Sequence, residues 1–175
     1  MIPAQQPLRT KVEADRRSFN GDLAKYVAQI AYFRLFPHKR MLIGTFVRSI
    51  PWIEAKLTPT LYPLLRALFT WALQFGPAAA DDALLQTQRI ADEVDRRIVD
   101  GRKFLWGDSP TLADLAFATA LAPRLLPVGY NAPIPTYAEM SAELKRIIDS
   151  LRQRPCFGLV NRIYALQTVR SSSID

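Results

Sequence analysis

The chain has 175 residues, 49% of them hydrophobic and 22% charged, which suits one domain with a real core and excludes a long disordered protein. One cysteine, Cys156, and one histidine, His38, exclude an internal disulfide and a zinc site of the usual kind. The formal charge of +7 is scattered, with only short pairs such as Arg16-Arg17, Lys39-Arg40 and Arg96-Arg97; it reads as solvated helix faces, not as a nucleic-acid or membrane surface.

The first residues, Met1-Ile-Pro-Ala-Gln-Gln-Pro7, have no basic run followed by an apolar one, so no secretory leader is expected and the cytoplasm is the expected location. Residues 1–20 read as a lead-in, with Leu8 to Ser18 a short helix or a loop. Asn20-Gly21-Asp22 reads as a turn and N-cap. A strong helix follows over Leu23–Phe36, where Leu23, Tyr26, Val27, Ile30 and Phe33 keep helical spacing and Pro37 ends it. His38, beside Lys39 and Arg40, reads as an exposed residue favoured by the helix dipole, since no acid partner makes it a base.

Met41 to Ser49 is expected to form a short helix and Ile50-Pro51-Trp52 a bend. Leu57 to Phe75 is the longest apolar run. Pro59, Pro63 and Arg66 within it favour a buried helix over a membrane span. Gly76-Pro77 is a strong breaker. Leu84, Ile90, Ala91, Val94 and Ile98 then form one stripe of an amphipathic helix.

Thr111 and Asp114 stand as N-cap and N3 of the next helix, the spacing of a reciprocal capping box. Leu115 to Leu126 is almost wholly apolar, so this helix is central and Asp114 begins it inside the protein. A buried helix start leaves N–H groups that water cannot reach, which makes the box structural. The helix is expected to end near Pro123, followed by an irregular connection through Pro135. Another helix begins at Tyr137 or Ser141, with Leu144, Ile147, Ile148 and Leu151 inward. Arg154-Pro155 breaks it, and Phe157, Val160, Ile163 and Tyr164 mark a closing helix before a flexible tail over 169–175. Cys156, following Pro155 near a helix start, reads as a buried structural thiol rather than a nucleophile. The result is an all-α helical bundle over 21–168.

Phe104-Leu-Trp-Gly-Asp-Ser-Pro-Thr-Leu-Ala-Asp-Leu115 resembles the capping-box signature of the glutathione S-transferase C-terminal domain. Ala83–Val99 and the Asp100-Gly-Arg-Lys-Phe-Leu loop resemble the helix and loop that enter it. The resemblance runs roughly from Leu8 to Leu166, and it implies the helical bundle of that domain.

In that family a thioredoxin-like domain supplies the catalytic residue and the glutathione contacts. No such pattern precedes the first strong helix, so no catalytic residue is carried over. No cofactor is expected, and glutathione only together with a thioredoxin-like domain.

The resemblance places a hydrophobic-substrate wall on the first long helix, with Tyr26, Tyr32, Phe33, Arg34 and Phe36 as candidates. The other reading of these residues is core or interface. It also implies a homodimer or protein partner covering helices 23–36 and 57–75. The expected function is a binding or dimerisation module with an apolar small-molecule pocket, not catalytic alone. The alternatives are a glutathione transferase acting on apolar electrophiles and a carrier of an apolar ligand.

Overall fold

A computed structural model of the chain describes residues 6–35, 63–64, 67, 76–132 and 136–171; of residues 32, 34, 35, 143 and 167–171 it describes the backbone only. The expected helix over 41–49, the bend at 50–52, His38, Phe36 and most of the 57–75 run lie outside these residues.

The first helix, α1 (Gln6–Ser18), does not stop at Asn20-Gly21-Asp22. It passes through one π-helical turn, Phe19–Leu23, into α2 (Ala24–Leu35). Both flanking residues, Ser18 and Ala24, keep right-handed helical backbone angles. The expected turn and N-cap are therefore corrected to a continuous helix. The reason is tertiary: Val12, Phe19, Leu23, Val27 and Ile30 fall on one stripe and are all buried, which outweighs the local turn preference of Asn-Gly. The Phe19 ring meets the Phe117 ring edge-on, with centroids 5.2 Å apart.

Gly76-Pro77 starts the next helix, α3 (Pro77–Ile98). Gly76 is the N-cap, and proline, whose missing N–H would be an orphan there, occupies the first turn. Ala80, Ala83, Thr87, Ala91, Val94 and Ile98 are its buried stripe, and it packs on α2.

Helix α4 (Leu112–Leu125) is the centre of the bundle. Nearly all of it is buried, and it packs against α1, the π turn, α2, α5 (Ala142–Arg152) and α6 (Pro155–Ser171). It continues two residues past Pro123, where an end was expected. It stops at Leu126, which takes a left-handed φ of 48°, with its N–H on the Ala122 carbonyl at 2.8 Å. Arg152 accounts for the extension. Its guanidinium donates to the Leu125 and Leu126 carbonyls at 3.0 and 3.2 Å, satisfying helix-end acceptors in place of solvent.

Tyr137–Glu139 is a single 3₁₀ turn, and α5 starts after it with Ser141 as N-cap, so the two expected starts are separate elements. Helix α6 runs through Ser171, three residues into the segment expected as tail.

Gly21 is exposed, lacks a left-handed φ, and has open space where a Cβ would stand. Gly21→Ala should therefore raise stability by about 0.5–1 kcal/mol, through lower unfolded-chain entropy. Urea unfolding reads this directly. A loss of stability would mean that residues 20–22 form the turn their sequence suggests.

Candidate functional site

The loop between α3 and α4 is set by Gly107, whose φ of 122° suits glycine alone. Phe104 and Gly107 exchange backbone hydrogen bonds across the turn at 2.9 and 3.3 Å. This aims the Leu105 N–H at Asp114 Oδ1, 2.7 Å away. Asp114 Oδ2 accepts from the Thr111 N–H at 2.8 Å and from the Thr111 hydroxyl at 2.6 Å, within a reciprocal capping box. Asp114 is 0% exposed. The Leu105 contact, nine residues away, goes beyond what a capping box predicts.

Trp106, the next residue, donates from its indole N–H to Asp15 Oδ2 at 2.9 Å, and Arg97 pairs with the same oxygen at 2.7 Å. Lys11 and Arg97 both lie within 6 Å of the Trp106 ring centre, in cation–π range. These groups fasten α1 and α3 to the loop. They brace the loop against the two helices.

Among the described residues, the Cys156 thiol and the phenols of Tyr130, Tyr137 and Tyr164 are shifted toward their protonated forms. Burial, and after it the neighbouring Asp95 carboxylate, pushes the Cys156 thiol up to about 12. A helix start lowers a thiol's pKa where the thiol is open to the helix dipole; here the carboxylate takes that place. Asp95 Oδ1 accepts the Cys156 backbone N–H at 2.7 Å, while Oδ2 is held by Arg154 at 2.8 Å and Arg154 also pairs with Asp92. Burial, and then Tyr164, raises Tyr130 to about 12, and burial raises Tyr164. Tyr137 is raised by the hydrogen bond its hydroxyl gives Asp149. Among the described residues, no group of three or more His, Cys, Asp or Glu side chains could hold a metal ion, and no helix is long and apolar enough to cross a membrane.

A cleft opens where α2, α4 and α5 meet, with a volume of about 50 Å³. Helix α2 contributes Ile30 and Ala31, and α4 contributes Pro123 and Arg124. Met140 closes one side, and α5 supplies Leu144, Ile147 and Ile148. Drug-sized pockets span roughly 300–1,000 Å³, so this one receives a small group or the end of a longer molecule.

Of the residues expected to line a pocket on the first long helix, Tyr26 and Phe33 are half-buried on α2. Neither lines this cleft. The side chains of Tyr32 and Arg34, and all of Phe36, lie outside the described residues. The expected helix does reach a cleft, through Ile30 and Ala31 instead. Sequence reasoning missed Arg124. Its signal was a lone charge in the apolar run Leu115–Leu126, where a buried cation needs a counterpart.

The family model described as "Glutathione S-transferase, C-terminal domain" matches residues 53–155, more than half of the chain. No curated protein and no solved structure matches it.

The raised Cys156 has a direct consequence. At pH 8, native protein should react with a disulfide reagent such as dithiobis-nitrobenzoate at least tenfold more slowly than urea-unfolded protein, because only the unfolded thiol ionises near its reference value of about 8.5. The native form holds its proton up to about 12, so this group's contribution to stability is full below about pH 8 and is lost as pH rises from there toward 12. Equal rates for native and unfolded protein would contradict the burial argument.

Proposed function

Because this chain belongs to the glutathione S-transferase C-terminal domain family, we propose that it is a helical assembly module: it docks a second copy of itself or a protein partner and does not activate a thiol by its own residues. One observation carries this reading. Within the family-matched segment, Pro63, Leu64 and Ala67 are helical, lie on one face by helical spacing, and are all exposed, Leu64 at 66%. Exposed apolar residues gathered on one helix face are the kind of surface that a partner covers.

The partner surface expected over helices 23–36 and 57–75 narrows on this reading. Leu23, Val27 and Ile30 are already spent in this chain's own core, so α2 offers at most its Tyr26–Phe33 side. The raised Cys156 thiol supports the non-catalytic half of the proposal.

A second reading, a carrier of a small apolar ligand, is favoured by the cleft between α2, α4 and α5. The two are compatible, because the cleft and the Leu64 face use different residues.

Sedimentation velocity over a wide concentration range tests the assembly reading. The native protein should sediment as an oligomer, and Leu64→Glu should convert it to monomer while changing folded stability by less than about 0.5 kcal/mol, as exposed substitutions do. A native protein that stays monomeric, or a Leu64→Glu oligomer as tight as the parent, would overturn it. Conjugation of glutathione to chlorodinitrobenzene above the uncatalysed rate would overturn the non-catalytic half.

A further inference from the structure

The walls of the α2–α4–α5 cleft are not held alike. Helix α2 buries Val27 and Ile30, α5 buries Ile148 and Leu151, and α4 lies almost wholly in the core. Among the described residues of the lining, the one that belongs to none of these helices is Met140. It follows the 3₁₀ turn Tyr137–Glu139, and that turn buries no residue. Two residues with extended backbone, Met140 and Ser141, join the turn to α5.

What fastens the turn is a set of polar contacts at the surface. The Tyr137 hydroxyl lies 2.8 and 2.9 Å from the two carboxylate oxygens of Asp149 on α5. Lys145 Nζ donates to the Ala138 carbonyl at 3.0 Å. Lys145 and Arg152 both lie within 6 Å of the Tyr137 ring centre. Water competes for each of these partners, so each contributes little net. An element with exposed hydrogen bonds and no buried apolar residue opens locally at a lower free energy than the bundle around it.

The cleft needs such an opening. Its volume of about 50 Å³ gives room for only a few non-hydrogen atoms. Parting α2, α4 and α5 would expose core, whereas the turn can swing aside at the cost of its surface bonds. On the carrier reading above, we propose that residues 136–140 are a strap that gates the cleft, with the hydrogen bond from Tyr137 to Asp149 as its latch. Arg152 ties the latch to the wall: it lies beside the Tyr137 ring and also holds the Leu125 and Leu126 carbonyls, directly after Pro123 and Arg124 of the lining. Release of the strap admits a neutral alkyl chain along Leu144, Ile147 and Ile148.

The test uses the full chain carrying Ile148→Cys in the cleft wall, with the native Cys156, on the α3–α6 side, as an internal control. Both thiols are labelled with methyl methanethiosulfonate at pH 8 and read separately by peptide mass spectrometry. Adding Tyr137→Phe should speed labelling at position 148 about tenfold, the scale of one hydrogen bond to a carboxylate. Labelling of Cys156 should change by less than about twofold, because local opening leaves the rest of the bundle closed. Hexanol, a neutral alkyl probe, should slow labelling at position 148 alone.

Unchanged labelling at position 148 would overturn the strap, and protection by hexanol would then leave the carrier reading standing. Equal acceleration at both positions would also overturn it, because Tyr137 would then act on the whole fold. No protection by hexanol up to its solubility would overturn the carrier reading, and the gate with it. Should Ile148→Cys fail to fold, amide hydrogen exchange of the Tyr137→Phe chain decides. The Met140 amide, which donates to the Tyr137 carbonyl at 3.2 Å, should exchange about tenfold faster while the Phe117 amide in α4 stays unchanged. An unchanged Met140 amide, or an equal change at both, would overturn the strap.

Discussion

One buried carboxylate organises this bundle. Asp114 accepts three hydrogen bonds, from the Leu105 N–H, the Thr111 N–H and the Thr111 hydroxyl, with no exposure to solvent. The need arises from the position of α4. A helix whose start lies inside the protein cannot hand its unpaired N–H groups to water, and the loop entering it carries orphan donors of its own. Asp114 serves both, and its negative charge sits at the helix end where the dipole favours it. Substitution by a residue that cannot accept would strand buried donors, which costs more than the bonds contribute net.

The rest of the structure extends the same principle outward. Leu105 is bonded to Asp114 and its neighbour Trp106 to Asp15, so the cap at the centre and the α1 brace are consecutive residues of one loop. At the other end of α4, Arg152 on α5 takes the terminal carbonyls. Asp95 on α3 takes the Cys156 N–H at the start of α6. The C-terminal end of α4 and the start of α6 are each completed by a side chain from a different element, so the bundle's topology is written in its caps as well as in its apolar stripes. This arrangement also limits chemistry: Asp15, Asp95 and Asp114 are committed to structural hydrogen bonds, and burial raises the Cys156 thiol and the Tyr130 and Tyr164 phenols.

Much of this was legible in the residues. The Thr111–Asp114 spacing, followed by an apolar run, located the central helix and its family, because a buried capping box leaves few alternatives. The stripe Leu84–Ile98 located α3, because one-sided packing imprints helical periodicity. Other features were hidden for physical reasons. Asn20-Gly21 carries a strong local turn signal, and only the burial of Phe19 and Leu23 on α4 turns it into a helical continuation. Pro123 is a local stop that a distant arginine, Arg152, makes tolerable. The Leu105 contact spans nine residues, a reach that cap spacing does not encode. The cleft joins α2, α4 and α5, elements far apart in sequence, so its lining could not be read from the periodicity of any one helix. Arg124 was the one visible clue.

The chain contains its own control for the central claim. Thr136 and Glu139 repeat the same box on the 3₁₀ turn, with the Thr136 N–H and hydroxyl on Glu139 Oε2 at 2.8 and 2.9 Å, but on the exposed surface. The decisive measurement is urea unfolding of Asp114→Asn beside Glu139→Gln. Loss of acceptors in the buried box should cost about 2–4 kcal/mol, and in the exposed one, where water replaces them, less than about 1 kcal/mol. Equal costs for the two substitutions would show that burial of the Asp114 carboxylate does not hold this fold together.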